Sequence, residues 1–176
     1  YGQKLIVSPA DLQGVKVRVQ LSPSAIRMVE LLGGNPTPIS WGELYSALQQ
    51  GVVDAAENNP TALTTARHGE VASDFSMDEH TMIPSVVVIS NCAWDAMTPE
   101  QQQALRTAAL DSMAAHREAW NKASAAAIEE AKATLDVKIH PVDKAPFAEA
   151  VLPMHEEVAA KSENLADLID RIKAAQ

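Results

Sequence analysis

The run GVVDAAENNPTAL, residues 51–63, sets Asp54, Glu57, Asn58 and Asn59 behind a short apolar stretch and reaches Pro60. Two carboxylates and two amides at a strand end offer acceptors and donors to a polar ligand, which is what a crevice beside an α/β sheet needs. Pro60 cannot donate a backbone hydrogen bond, so the same cluster also reads as a turn. A second group stands in VKVRVQ, where Arg18 carries a planar fork able to hold a carboxylate by two parallel hydrogen bonds. Trp41, at the head of WGELYSAL, adds an indole whose face can stack on the C–H side of a sugar ring.

Other chemistry leaves no motif. The five histidines, His68, His80, His116, His140 and His155, lack the paired spacing of a zinc protease. The nucleophile elbow, the phosphate loop and the dinucleotide fingerprint are missing. Cys92 is the single cysteine, so there is no internal disulfide and no cysteine-built metal site. Lying at the end of an apolar run, it is expected as a buried, inert thiol. No metal, cofactor or catalytic constellation is expected.

The elements that must position these groups follow from periodicity. Ser8, Pro9 and Asp11 predict one capped helical turn ended by Gly14. Val15, Val17 and Val19 alternate with Lys16, Arg18 and Gln20, which predicts a strand with one apolar and one polar face, Arg18 on the polar side. Ser22-Pro23 opens a helix closed by Gly33-Gly34, and Ser40 with Glu43 predicts a capping box for a helix running to Gly51. Strand, helix, strand, helix, strand at this spacing predicts a βαβ layered sheet, with Arg18, Trp41 and Asn58 at the ends of three successive units. TMIPSVVVISN, residues 81–91, reads as a buried strand. Thr98, Pro99 and Gln101 start a helix of roughly 35 residues whose apolar stripe includes Met113, His116 and Trp120, expected in the core. VKIHPV is a last strand, followed by two helices, the first interrupted near Pro153. The chain divides into an α/β lobe with crossover strands at 1–91, a long bridging helix at 92–136, and a returning strand with C-terminal helices at 137–176.

Length and composition bound the function. A chain of 176 residues, 47% of them hydrophobic, suits one globular domain or a domain with part of a second. Fourteen basic against twenty-three acidic residues leave a net charge of −9, which argues against nucleic acid or an anionic membrane as partner. No apolar run reaches the roughly 18 residues that span a bilayer. The opening YGQKLIVSPADLQG shows no leader and no initiator Met, and reads as the start of a fragment or a processed product.

In order and spacing, ADLQGVKVRVQ, WGELYSALQQGVVDAAENNP and MTPEQQQAL resemble the solute-binding receptors of tripartite ATP-independent periplasmic (TRAP) transporters. The resemblance implies a type II periplasmic-binding α/β fold with an incomplete first lobe, and a periplasmic location. It also implies capture of an organic acid for delivery to membrane permease subunits. Carried over by motif, Arg18 pairs with the ligand carboxylate, Trp41 is the aromatic wall and Asn58 the strand-end amide. The doubled amide ENNP is similar to the branch that binds sugar acids such as uronates, which adds Asn59. Glu57 and His80 complete the expected ligand-binding set, although a carboxylate near an anionic ligand repels it, and a structural hydrogen bond suits Glu57 better. Two other readings stand beside this one. The first is an α/β enzyme domain acting on a sugar acid, with Glu57 and Asp54 as acid and base. The second is a truncated interaction protein that homodimerises through apolar surface on the long helix.

Overall fold

In the computed structural model, which describes residues 1–175, the valine-rich run forms the middle of a parallel sheet. β1 (Lys16–Val19) pairs on one side with β2 (Asn35–Pro38), placing Arg18 opposite Thr37, and on the other with β3 (Ala55–Ala56), placing Arg18 opposite Ala56. Pro36 and Pro38 are tolerated because β2 is an edge. Between these strands lie α1 (Pro23–Leu31), with Ser22 Oγ accepting from Ala25 N, and α2 (Leu44–Gln49), entered through a 3₁₀ turn at Trp41–Glu43. The capping box expected at Ser40 is not formed: its hydroxyl donates to the Glu43 carboxylate instead of receiving a backbone N–H.

α3 (Thr61–Thr64) leads to β4 (Asp74–Met77), a strand the sequence reading did not identify. β4 pairs in parallel with β5 (Lys138–Pro141), the expected VKIHPV strand, and His140 Nε2 lies 2.8 Å from Asp74 Oδ1 across the pair. Gly2 stitches the two groups of strands together by antiparallel bridges to Ala55 and Asp74. Its N–H donates to Asp74 O and its carbonyl accepts from Asp74 N, both at 3.1 Å. Only glycine fits there, since a Cβ would lie 2.4 Å from the Asp54 carbonyl oxygen.

The short α4 (Asn91–Asp95) precedes α5 (Pro99–Thr134), 36 residues long, which opens with the predicted Thr98/Gln101 capping box. After β5 come α6 (Ala145–Ala150), α7 (Leu152–Ala159) and α8 (Glu163–Ala174), so the expected interruption near Pro153 falls at Val151. Val15, Val17 and Val19 pack with Val29, Leu32 and Phe147 on one face of the sheet. Leu44, Leu48, Val53 and Val71 cover the other. A third cluster, Leu63, Phe75, Ala131 and Val137, seats the C-terminal part of α5.

Four expectations are corrected. β1 does not have one apolar and one solvated polar face: both faces of the parallel sheet are covered, and Arg18 is 2% exposed. Residues 81–90 are not a buried strand; they leave the sheet after β4, and Val87 is 83% exposed. β-branched composition favours a pleated surface but supplies no partner for it, and no described strand pairs with this run. Met113 (58% exposed), His116 and Trp120 lie on an uncovered stretch of α5, where only Ala127 and Ala131 are buried. Cys92 is exposed because the run before it is not buried.

Candidate functional site

The C-terminal ends of β1, β2 and β3 open onto a cleft of about 810 Å³ lined by Arg18, Trp41, Asn58 and Asn59, with Gln20, Ser40, Thr61 and Thr65 among its further polar groups. That volume suits a small-molecule ligand. Arg18 reaches it from the next-to-last residue of β1, Trp41 from the turn after β2, and the two asparagines from the loop after β3. Strand ends of neighbouring βαβ units are where open α/β sheets place ligands.

Arg18 is the only charged side chain lining the cleft among the described residues. Its Nε donates to the Ile39 carbonyl at 2.8 Å, which aims the guanidinium, while the buried Nη1 has no partner. A buried donor left unpaired is costly, and an anionic ligand would satisfy it. The guanidinium carbon lies 5.8 Å from the Trp41 ring centroid, in cation–π range, and the indole itself is 48% exposed.

The two amides divide their work. Asn58 Oδ1 accepts from Asn59 N at 2.8 Å and from Asn59 Nδ2 at 2.9 Å. Asn59 Oδ1 accepts from Thr61 N and from the Thr61 hydroxyl, closing a turn just before α3. Asn59 therefore builds the turn that the sequence also suggested, and the Asn58 amide group is the one left with donors to offer a ligand.

Glu57 and His80, expected with this set, do not line the cleft. His80 Nδ1 lies 2.7 Å from Asp78 Oδ1, and its Nε2 lies 3.6 Å from Glu57 Oε2, an ion-pair distance longer than a hydrogen bond. Burial alone would lower the His80 pKa, but the Asp78 hydrogen bond and the Glu57 carboxylate outweigh it and carry it up to about 9. The strand end at Glu57 is thus tied to the segment leaving β4, where Glu79 takes the left-handed conformation at φ 49°. Asp54 does not line the cleft either, and its Oδ2 accepts from Lys16 N at 2.8 Å. The acid and base of the enzyme reading are not brought together at the cleft.

Three contributors went unrecognised in the sequence. Ile39 acts through its carbonyl, which no side-chain pattern reveals. Thr61 and Thr65 carried a signal, since hydroxyls four residues apart after ENNP share one helical face.

Residues 1–162 match the DctP family, bacterial extracellular solute-binding protein family 7. The uncharacterized protein YiiZ of Salmonella typhimurium is 40% identical over 166 residues, 94% of this chain and 50% of that protein. A TRAP periplasmic solute-binding protein of Xanthobacter autotrophicus, solved with bound β-D-galacturonate, superposes with a TM-score of 0.93 at 38% identity over 100% of this chain and 58% of that one. One from Pseudomonas putida F1, solved with bound D-glucuronate, gives a TM-score of 0.92 at 39% identity over 100% and 56%. The chain spans about half the length of the curated relatives it matches. With the family pattern covering most of its residues and the fold shared with these type II periplasmic-binding structures, the chain belongs to the DctP family of TRAP solute-binding proteins.

Proposed function

We propose that this chain is the part of a TRAP receptor that captures a hexuronate in the periplasm and presents it to the membrane permease subunits. The observation that carries this is the buried Arg18 guanidinium with an unpartnered Nη1, the one charge among the described residues lining the cleft, where amides, hydroxyls and an indole stand beside apolar walls such as Leu21 and Ile39. A carboxylate docks on the Arg18 fork, the Asn58 amide donates to a ring hydroxyl, and the sugar ring lies on the exposed face of Trp41. The D-glucuronate and β-D-galacturonate held by similar receptors support this ligand class. The protein binds without turnover, because Asp54 and Glu57 are held elsewhere by backbone and histidine partners.

Thermal unfolding of the full-length receptor with D-glucuronate, D-galacturonate and D-glucose tests the reading. The two uronates should raise Tm and glucose, lacking the carboxylate, should not. Equal responses to all three, or none to either uronate, would refute it. We infer further that the chain in isolation self-associates through apolar residues of 82–88 and of α5.

A further inference from the structure

His68 is a buried, titratable side chain that stands outside the cleft yet touches its wall. It is 2% exposed, and its ring centroid lies 5.0 Å from that of Trp41 with the planes tilted by 57°. The ring also stacks on Tyr1 at 5.6 Å, and Nδ1 is 2.8 Å from the Tyr1 hydroxyl. Trp41 therefore lies close to both Arg18 and His68.

The turn that carries His68 is fixed. Arg67 adopts the left-handed conformation at φ 59°, and its guanidinium pairs with Glu70, whose carboxylate also accepts from the Tyr45 hydroxyl at 2.9 Å. At the neighbouring Gly69 there is no room for a Cβ, which would meet Leu135, Leu63 and Val137 within 3.1 Å.

We propose that His68 is a positioning residue for the ligand site: its ring, held by the Tyr1 hydroxyl, sets the angle at which Trp41 meets Arg18 and the ligand. This rests on the uronate-binding reading above. The charged and titratable groups around the ring are Arg18 from β1, the Tyr1 hydroxyl from the first segment, Tyr45 from α2, and Arg67 and Glu70 on its own turn. Burial, and then the Arg18 charge, hold the imidazole below the usual histidine range, so it stays neutral beside the guanidinium. A second cation against the indole would compete with Arg18 for its π-electrons.

The test uses the full-length receptor with Trp41 as its sole tryptophan, D-glucuronate as the probe, and two readouts. An imidazolium in contact with an indole quenches its fluorescence and a neutral imidazole does so far less. Acidification below pH 6.5 should therefore dim Trp41, and His68→Phe, which keeps an aromatic ring of similar bulk, should abolish that dimming. Calorimetric Kd for D-glucuronate should rise roughly two- to tenfold in His68→Ala and in Tyr1→Phe, the scale of one aromatic contact or one hydrogen bond. Trp41 emission with the same pH response in His68→Phe, or an unchanged Kd in Tyr1→Phe, would overturn the assignment. If the parent receptor binds no uronate, the proposed function fails, and the quenching alone still decides whether His68 governs Trp41. If His68→Ala does not fold, His68→Phe and Tyr1→Phe carry the test.

Discussion

The Arg18 guanidinium carbon sits 5.8 Å from the centre of the Trp41 ring, and Arg18 Nη1 is buried with no acceptor. Without a ligand, that donor is a standing cost to the fold. Arg18→Met should therefore leave the ligand-free Tm unchanged or higher while abolishing the uronate-induced rise. Arg18→Lys, which keeps the charge but loses the fork, should weaken binding by about one to two decades, the worth of roughly 1.5 to 3 kcal/mol in a charged hydrogen bond. Isothermal titration of both variants against D-glucuronate checks this, and wild-type affinity in Arg18→Lys would show that bidentate docking is not in use.

Much of this site was legible because the residues that matter are polar groups at strand ends. The alternation of Val15, Val17 and Val19 located β1, and the Ser22-Pro23 and Thr98-Pro99 signals located two helix starts to the residue. What alternation could not reveal was that β1 is covered on both faces, which turns Arg18 from a surface charge into a buried one. It also could not tell a strand from an extended run that lacks a partner, as residues 81–90 show. Asp74-Phe75-Ser76-Met77 alternates over only four residues and begins with a poor strand former, so β4 emerged only from its pairing with β5.

His80 predicts a pH dependence of stability. Its ordinary pKa is 6.5 and its folded value is about 9, so the folded state holds the proton more tightly than the unfolded chain. The resulting stabilisation is complete below pH 6.5 and is lost as pH rises through about 9, amounting to at most about 3 kcal/mol. Urea denaturation between pH 6 and 10 should show this decline in the parent, and His80→Gln should flatten it. A parent curve with no slope over that interval would mean that Asp78 and Glu57 do not hold the imidazolium.

Gly2 should tolerate no side chain. In Gly2→Ala the new Cβ would stand 2.4 Å from the Asp54 carbonyl oxygen and 2.9 Å from Ala55 Cα, both backbone atoms that cannot step aside as a flexible side chain could. Strand spacing at the junction of β3 and β4 must then open, at a cost on the order of 1 to 3 kcal/mol. Gly42→Ala is the control, since its Cβ would meet nothing within 4 Å. Equal denaturation midpoints for the two variants would contradict the stitched sheet.

The isolated 176-residue chain exposes Met82, Ile83, Val86, Val87 and Val88 in one run and Leu110, Met113 and Trp120 along α5. Scattered apolar residues are ordinary on a protein surface, but a valine-rich run that pairs with no described strand invites pairing with another copy. Light scattering of the isolated chain should give a mass above that of the monomer that rises with concentration. Val87→Asp should lower it, because a carboxylate within the run must be desolvated for two copies to pair. Met113→Glu separates the two surfaces: if only this variant restores the monomer, the helix face drives association and the extended run does not. A monomeric parent at high concentration would show that neither surface is sticky enough to overcome the mutual repulsion of chains carrying a net charge of −9.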